Sequence, residues 1–389
     1  MSAMTSDADT LPLTGLRVLE FGQFIAAPAA GQTLADLGAD VVKVEPPGGD
    51  AARQVGWSRD EFGPMFSAYN RGKRSVVLDL RTEAGRAQAL QLALQADVLI
   101  HNMRPGAMDK AGLGAGVLRS LSSRLVYGQV SGFGQEGEDG RRPGFDIAAQ
   151  AESGMMSLNG AADGEPTRLG FTAVDVMASH ALCSGVLAAL VRRGSTGAGA
   201  QIDVSLIDVA VEALANAWAE YRLTGHMPLR CGNGQPHAAP AADLVETADG
   251  LVVVSAYTQA HFARLCEALG QPQLASDPRF ATNAARVANR AALRAALAEG
   301  IGHLDSAAVG RLLTEAGVVV GAVRTMAEVR AGHGGVASDL FVPVDRPNGP
   351  PMALPGLPFR MDGQARRGGA LPGVGEHTDA VLSHWGASN

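Results

Sequence analysis

The first third of the chain alternates short apolar segments with helical ones, and this order constrains the fold more than any other feature. LRVLEFG (Leu16–Gly22) predicts a buried strand, an alanine-rich helix follows up to Gly38, and VVKVE (Val41–Glu45) predicts a second strand. Further strands are predicted at RSVVLDL, DVLIHN and RLVYGQVSGFG. Strands that alternate with helices indicate an α/β protein whose parallel sheet is covered on both faces and collects ligands at the carboxyl ends of its strands. The first turn carries no GxGxxG, so a nicotinamide or flavin site is not predicted there.

The second half of the chain has a different pattern. A long helix is predicted to end near Gly225, a loop-rich stretch follows, and a β-hairpin is predicted about Asp249-Gly250. Helical segments then dominate as far as about Gly321, and an extended, proline-rich stretch begins at Phe341. For 389 residues, at roughly 100–200 residues per domain, we expect two domains, the second a smaller one of the α+β class.

Composition narrows the range of partners. The net charge of -7 comes without a basic run, so nucleic acid is not an expected partner. Cys183, Cys231 and Cys266 are scattered and odd in number, which argues against disulfides or a metal site and suits a reducing cytoplasm. The N-terminus has acids and no apolar core, and no uncharged run approaches the roughly 18 apolar residues of a membrane span. We therefore expect a cytoplasmic protein without a membrane segment.

One carboxylate stands in an unusual place. Asp175 is the only acid of FTAVDVMASH and lies between two valines, ahead of apolar residues at helical spacing from Val176 to Arg193. An ionised acid beside buried valines costs several kcal/mol unless something compensates it. Asp175 is either the N-cap of this helix or a nucleophile that the helix N-terminus keeps ionised. The local pattern favours the cap and does not decide between the two.

A series of motifs spans nearly the whole chain and resembles the class III coenzyme A transferases, the CaiB/BaiF family. Each motif alone is weak, but the order of the series is specific. The motifs are LTGLRVLEFGQFIAAPAAGQTLADLGADVVKVEPPGGD, YNRGKRSVVLDL, HNMRPGAMDKAGL, SGFGQEG, GFDIAAQAESGMMSLNG, the Asp175 stretch, GAGAQIDVSLID, CGNGQPHAAPAADLVETADG, SDPRFATNAARVANRAAL and GVGEHTDAVL.

The resemblance implies a fold and an assembly. It implies a Rossmann-like large domain, formed here by residues 1–225 and 330–389, and a small domain over residues 226–329. It also implies a homodimer in which two chains thread through each other as interlocked rings.

The resemblance also implies a chemistry and places the catalytic residue at Asp175. A carboxylate that attacks an acyl-CoA forms a mixed anhydride and free CoA thiolate, and the thiolate then forms an aspartyl-CoA thioester. An acceptor acid attacks that thioester, and the thiolate takes the new acyl group. CoA is thus a substrate, and no metal or permanently bound cofactor is implied. Short dicarboxylic acids are candidate substrates, since an arginine near the acyl pocket would suit a second carboxylate.

Candidate binding residues surround these motifs. The cations Arg71, Lys73, Arg74, Arg104 and Arg142 are expected to bind the phosphates of CoA, although Arg142 could instead serve a substrate carboxylate. Substrate contacts are expected from Gln23, Phe145, Gly232 and Gly234. Backbone N–H groups that stabilise the reacting carbonyl oxygen are expected from the glycines of GFG at 132–134 or of CGNG at 231–234. His237 is a lone histidine and is expected to be structural unless it faces Asp175.

Departures from the family patterns bear on the reaction. Racemases of the same superfamily carry a catalytic histidine where this chain has Phe145, and phenylalanine cannot take a proton. Asp146 beside it is expected to be a cap or structural partner rather than a base. Formyl-CoA transferases have a glutamine where this chain has Ile25, which puts formate or oxalate specificity in doubt and leaves open whether Gln23 substitutes. The alternatives to CoA transfer are acyl-CoA racemisation and CoA binding without catalysis.

Overall fold

The structure is a computed structural model that describes residues 11–56, 60–234, 241–347 and 349–386. The chain divides into two compact units. The larger comprises Met1–Met155, Leu169–Gly225 and Asp339–Asn389, and the smaller comprises Met156–Arg168 and His226–Ser338. The smaller unit therefore includes residues 156–168 and 330–338, which the sequence-based boundaries place in the large domain.

A six-stranded sheet forms the centre of the larger unit. Every neighbouring pair of its strands is parallel, and the strand order is β3-β2-β1-β4-β5-β6. This order reverses direction between β1 and β4, the point at which doubly wound α/β proteins bind ligands. The strands are β1 (Arg17–Phe21), β2 (Asp40–Glu45), β3 (Arg74–Val77), β4 (Val98–His101), β5 (Val126–Ser131) and β6 (Gln201–Ser205).

Helices cover both faces of this sheet, as the alternating pattern predicts. The helices described before Gly225 are α1 (Ala26–Asp36), α2 (Pro64–Tyr69), α3 (Glu83–Gln95), α4 (Ala107–Lys110), α5 (Ala115–Leu121), α6 (Asp146–Glu152), α7 (Met155–Leu158), α8 (Ala173–Thr196), α9 (Leu206–Glu212) and α10 (Ala215–Thr224). The chain passes into the smaller unit within α7.

The side chains of β1 show why the sheet needs both layers. Val18 points into an apolar cluster with α1 and α8, whereas Leu19 and Phe21 belong to the cluster on the opposite face. Successive residues of a strand face opposite sides, so a continuous apolar run such as that of β1 is stable only when both sides are covered.

Helix α8 carries Asp175 and is the longest helix described. By length and hydropathy it is the one candidate for a membrane span among the described residues. Val174, Leu182 and Val186 on α8 are fully buried in the cluster beneath the sheet, so α8 forms part of the protein core. The helix ends at Gly197, whose φ of 71° is the left-handed conformation that glycine adopts at helix ends.

The C-terminal segment folds back onto the larger unit. Trp385 on the last helix is fully buried in the same apolar cluster as Leu19. A three-stranded sheet of order β11-β10-β12 precedes that helix. Its elements are β10 (Phe341–Arg346), β11 (Gly349–Pro355), β12 (Gly369–Ala370) and the last helix, α16 (Thr378–Gly386).

The smaller unit is built on an antiparallel sheet of order β7-β8-β9 with its own apolar core. The predicted hairpin is confirmed, since β7 and β8 pair antiparallel and Thr247 N–H donates to the carbonyl of Gly250 over 2.9 Å. The elements of this unit are β7 (Ala242–Glu246), β8 (Leu251–Ser255), α11 (Gln259–Ala268), α12 (Asn283–Ala288), α13 (Arg290–Ile301), α14 (Ser306–Glu315), β9 (Val319–Ala322) and α15 (Met326–Arg330).

Two helix predictions need correction. The helix expected from Val176 begins three residues earlier, at Ala173. The single long helix expected before Gly225 is two helices, α9 and α10, interrupted at Ala213 and Leu214. The apolar pattern continues across the break, so the sequence alone gives no sign of it.

Candidate active site

A cavity of about 350 Å³ opens at the carboxyl ends of β1, β4 and β5. It therefore lies where the strand order of the sheet reverses. Most of its wall is apolar, and Asp175 is one of only a few ionisable groups that line it. The residues that line it include Gln23, Phe24, Ile25, Ala26, Asn102, Met103, Arg104, Val130, Gly132, Arg142, Gly144, Phe145, Asp175 and Leu206.

Asp175 occupies the first turn of α8 but does not cap it. The residue before the helix, Thr172, makes no side-chain capping bond either. Instead, the carboxylate of Asp146 accepts hydrogen bonds from the backbone N–H groups of Val174, over 2.7 Å, and of Asp175, over 3.2 Å. The N-cap interpretation of Asp175 is therefore wrong, because a residue 29 positions away provides the cap. Asp146 is the structural partner that the sequence predicts.

The side chain of Asp175 is left without a partner among the residues described and is partly buried. Burial, and then the negative charge of Asp146, raise the pKa of Asp175 from 3.8 to about 7. Loss of hydration therefore makes this carboxylate harder to ionise than the sequence-based hypothesis, which considered only the helix N-terminus, implies. A carboxylate with this pKa is ionised in part at neutral pH and is more nucleophilic than an ordinary aspartate.

Loops after β1 and β4 meet at the edge of the cavity. The side-chain amide of Asn102 accepts from Gln23 N–H over 2.8 Å and donates to the carbonyl of Gln23 over 2.7 Å. Phe24 follows with a φ of 61°, which is rare for an aromatic residue. Its ring meets the ring of Phe145 edge to face at 5.9 Å. Gln23 and Phe145, both predicted to contact substrate, thus line one cavity.

Helix α1 begins at this cavity with its N-terminus uncapped. The residue before it, Ile25, has no capping side chain. The backbone N–H groups of Ala26 and Ala27 belong to the first turn and have no partner within the helix. They add the partial positive charge of a helix N-terminus to a cavity that contains a carboxylate. Sequence reasoning missed this feature, although the absence of Ser, Thr, Asp or Asn before the helix is a visible signal.

Two glycines shape the opposite wall. Gly132 follows β5 and Gly144 precedes α6, and a Cβ atom on Gly132 would lie 2.6 Å from the Cα of Gly144. Only glycines allow these two backbone segments to approach so closely. Gly132 lines the cavity, as expected of a candidate for the oxyanion site, while Gly134 is not among the residues that line it.

The two arginines of the cavity differ in their bonding. Arg142 pairs with Glu152 at 2.6 Å and with Asp139 at 2.9 Å, and its guanidinium lies over the ring of Phe133. Arg104 is exposed, and no partner is found for its guanidinium within the described ranges. Arg104 is therefore the cation of this cavity that is available to an anionic ligand.

The basic cluster of YNRGKRS does not lie open to a ligand. Lys73 is buried, and its ammonium bonds Glu20 at 2.7 Å and the carbonyl of Pro28 at 2.7 Å. Arg71 is buried beside Asp36, and Arg74 pairs with Asp40 and lies over the ring of Trp385. The prediction that these cations bind CoA phosphates is corrected for Arg71 and Lys73, whose charges are already neutralised by buried acids.

Lys73 belongs to a buried ionic network that sequence reasoning missed. Glu20 on β1 pairs with Lys73 and, at 3.0 Å, with Lys43 on β2, and none of the three side chains is accessible to solvent. Lys43 also donates to the carbonyl of Gly22 over 2.6 Å and pairs with Asp50 at 2.8 Å. The network therefore fixes the start of the loop that enters the cavity. A signal was present, because Glu20 and Lys43 each interrupt an apolar strand.

A second cavity of about 320 Å³ adjoins the first, since Gln23 and Met103 line both. Pro46, Pro47 and Leu78 form part of its wall, and the exposed Arg81 lies at its rim.

Gly232 and Gly234 belong to the smaller unit. Gly232 N–H donates to the carbonyl of Gly160 over 3.0 Å. A Cβ on Gly234 would overlap the guanidinium of Arg290, so this glycine permits close packing within the unit. His237 lies outside the described residues. In the part of the chain that the structure describes, no group of three His, Cys, Asp or Glu residues is placed to hold a metal ion.

The strand order and the position of Asp175 define a Rossmann-like α/β protein with a carboxylate in the cavity at the topological switch point. A family model described as "CoA-transferase family III" matches residues 13–378, and the chain belongs to that family. It is thus a family III CoA-transferase, an enzyme that moves CoA between carboxylic acids.

Relatives and solved structures agree with this assignment. The chain is 41% identical over 304 residues to "Probable fatty acyl-CoA transferase Rv3272" of Mycobacterium tuberculosis, covering 74% of this chain and 76% of that one. It is 39% identical over 319 residues to "Acetyl-CoA:oxalate CoA-transferase" of Acetobacter aceti, covering 82% of each chain. A crystal structure of a CaiB/BaiF family protein from Brucella suis matches with a TM-score of 0.82 at 36% identity, covering 97% of this chain and all of that one.

Proposed function

We propose that this enzyme transfers CoA from an acyl-CoA to a short dicarboxylic acid, with Asp175 as the nucleophile. The observation that carries the proposal is the carboxylate of Asp175, which lines the cavity at the switch point and has no partner among the described residues. A buried carboxylate that only stabilised the fold would be hydrogen-bonded.

In the proposed reaction the carboxyl group of Asp175 is in turn an anhydride with the donor acid, a thioester with CoA and an anhydride with the acceptor acid. A carboxylate oxygen of Asp175 attacks the thioester carbonyl, the carbon–sulfur bond breaks, and CoA leaves as its thiolate. The thiolate attacks the Asp175 carbonyl of the anhydride, releases the donor acid and leaves CoA bound to Asp175 as a thioester. The acceptor carboxylate then attacks this thioester, the carbon–sulfur bond breaks, and a second anhydride forms with release of CoA thiolate. The thiolate attacks the acceptor's carbonyl, which forms the new acyl-CoA and releases Asp175 as its carboxylate.

Each attack places negative charge on a carbonyl oxygen. The N–H groups at the open start of α1 are suited to donate to that oxygen, because Ala26 lines the cavity and the N–H groups of Ala26 and Ala27 have no partner within the helix. Gly132 remains a candidate from the opposite wall. Gly232 and Gly234 remain predictions, since they lie in the smaller unit.

We place the pantetheine arm of CoA along the second cavity, which adjoins the first at Gln23 and Met103. The phosphates of CoA lie a whole pantetheine arm away from its sulfur, so a cation that binds them must lie well away from Asp175. Arg81, which lines the second cavity, meets this condition better than the buried Arg71 and Lys73, because it is exposed although it pairs with Asp79 at 2.9 Å. Arg74 remains a prediction.

Arg104 is the feature that favours a dicarboxylic acid. It lines the same cavity as Asp175, is exposed and has no acidic partner in the described part of the chain. Around it the wall is apolar, with Phe24, Phe145 and Leu206. A guanidinium over an apolar pocket suits an acid with a second carboxylate at the far end, as in oxalate, the acid named in one relative. We therefore assign Arg104 to the acid, in place of the CoA phosphate predicted from the sequence.

The experiment compares CoA transfer to succinate, glutarate and a fatty acid of similar length in wild type and in Arg104→Met. We expect the wild type to prefer the dicarboxylic acids and the variant to lose this preference through a higher KM for the acid. If Arg104→Met lost transfer activity equally with all acceptor acids and had a higher KM for the acyl-CoA, Arg104 would instead bind a phosphate of CoA. Preference of the wild type for the fatty acid would refute the substrate class.

We also propose a homodimer. Helix α10 has no buried residue, and Trp218 and Leu223 on it are 45% and 86% exposed. An apolar surface of this kind suits contact with a second copy of the chain. Sedimentation should give twice the chain mass of 40.0 kDa, and Trp218→Glu with Leu223→Glu should shift the protein toward monomer. The interlocking of the two chains and the cytoplasmic location stay predictions from the sequence.

A further inference from the structure

We propose that Asn102 is a positioning residue, whose amide holds the turn at Gln23 so that the open start of α1 faces Asp175. Its two hydrogen bonds, at 2.8 and 2.7 Å, join the loop after β4 to the loop after β1 across the crevice of the sheet. A side-chain amide that both accepts from the N–H and donates to the C=O of one residue holds that residue's backbone in the way that a paired residue of a neighbouring β-strand does.

The turn that Asn102 holds is strained. Phe24, immediately after Gln23, has a φ of 61°, a conformation that strains the backbone of a bulky residue. Its N–H contacts Asp50 only at 3.5 Å, whereas both polar groups of the Gln23 backbone meet Asn102 at short distances. The stronger restraint on this turn is therefore Asn102.

The turn that carries Asn102 is itself held by hydrogen bonds of His101. Met103 N–H donates to His101 Nδ1 over 3.2 Å, and His101 Nε2 lies 2.9 Å from the hydroxyl of Tyr127. Burial lowers the pKa of His101 to about 4, so its ring is neutral at pH 7 and Nδ1 is free to accept. The turn that carries Asn102 thus has a fixed orientation before any ligand binds.

Both ends of the Gln23 loop are anchored as well. Lys43 holds the carbonyl of Gly22, and Lys73 holds the carbonyl of Pro28 in the first turn of α1. Between these two anchors, Asn102 makes shorter side-chain hydrogen bonds to the loop than Asp50 does and therefore restrains its direction more strongly. Without it Phe24 can relax to a common backbone conformation, and the N–H groups of Ala26 and Ala27 then move away from the cavity.

The inference rests on the proposed role of Asp175, and the experiment separates the two. Asn102→Ala and the wild type are mixed with an acyl-CoA, and the rate of CoA attachment to Asp175 is followed by rapid quench and mass spectrometry. Asn159→Ala is the matched control, because the Asn159 amide also donates to a backbone carbonyl, that of Thr167 at 2.8 Å, within the smaller unit.

We expect Asn102→Ala to attach CoA about 10- to 100-fold more slowly, with its KM for acyl-CoA within about threefold of wild type, because a misplaced donor affects the transition state more than binding. Asn159→Ala should react at the wild-type rate. Asn102→Asp keeps the bond to Gln23 N–H, loses the bond to its carbonyl and should also react slowly, so it tests the inference if Asn102→Ala does not fold.

A folded Asn102 variant that attaches CoA at the wild-type rate would overturn the inference, and so would a loss expressed only in KM. If the wild type itself attaches no CoA to Asp175, the proposed function fails instead.

Discussion

Replacing Asp175 by asparagine should remove activity and stabilise the protein, and the gain should depend on pH. The native fold holds this carboxyl group where burial and the charge of Asp146 raise its pKa from 3.8 to about 7. The unfolded chain ionises near 3.8, so ionisation favours the unfolded state as the pH rises from about 4 to about 7. Above that range both states are ionised and the penalty stays constant. An asparagine side chain at this position has no such penalty at any pH.

The size of the effect follows from the pKa difference. A shift of about three units at 1.36 kcal/mol each gives a penalty of about 4 kcal/mol as an upper limit. Asp175 is only partly buried, and solvent screening reduces this to about 2 kcal/mol. The gain in the free energy of unfolding of Asp175→Asn over wild type should therefore be about 1 kcal/mol greater at pH 8 than at pH 4.5, because at pH 4.5 the unfolded carboxyl is already largely ionised and about half of the penalty is present.

Chemical denaturation at pH 4.5, 6, 7 and 8 measures this difference. Asp163→Asn, which changes an exposed acid, serves as the control and should show no comparable dependence. If the difference between Asp175→Asn and wild type were the same at all four pH values, the carboxyl would not be held in a desolvated, charged setting. The physical basis for its reactivity would then be lost.

Three further results are expected. Asp146→Asn keeps an oxygen for the N–H groups of Val174 and Asp175 but removes a negative charge, and this should lower the pKa of Asp175. The rise of kcat/KM with pH near 7 should therefore move to lower pH, and an unchanged pH profile would contradict the coupling of the two carboxyl groups. Gly132→Ala would bring a Cβ to 2.6 Å from Gly144 and should lower stability by about 1–3 kcal/mol along with activity, whereas Gly310→Ala, which has open space around it, should do neither. Glu20→Gln leaves Lys43 and Lys73 without their shared buried carboxylate and should lower the free energy of unfolding, measured by chemical denaturation, by about 3–5 kcal/mol. Asp277→Asn, which breaks a pair with the exposed Arg279, should lower it far less, and equal losses in the two variants would refute a buried network.

The strands of the sheet follow closely from the sequence. A run such as LRVLEFG, bounded by a glycine turn, is stable only as a buried strand, and β1 is found at Arg17–Phe21. Periodicity and turn residues carry this information locally. The same is true of the hairpin at Asp249-Gly250, where a turn dipeptide separates two apolar runs.

The parts that sequence reasoning missed depend on residues far apart in the chain. Asp175 looks like a cap because it precedes an apolar helix, but Asp146 occupies that position from another segment. Lys73 looks like a free cation until Glu20, 53 residues earlier, is found beside it. Local pattern reports the identity of a charged residue, and only tertiary structure reports whether an opposite charge is already in contact with it.

The central claim is that CoA becomes covalently bound to the side chain of residue 175. The most direct measurement incubates the enzyme with an acyl-CoA, traps the activated ester with hydroxylamine and identifies the modified peptide by mass spectrometry. We expect a hydroxamate on Asp175 in the wild type, none in Asp175→Ala, and no CoA transfer by that variant. A wild-type enzyme that transfers CoA while Asp175 stays unmodified, or an Asp175→Ala variant that still transfers it, would contradict the account.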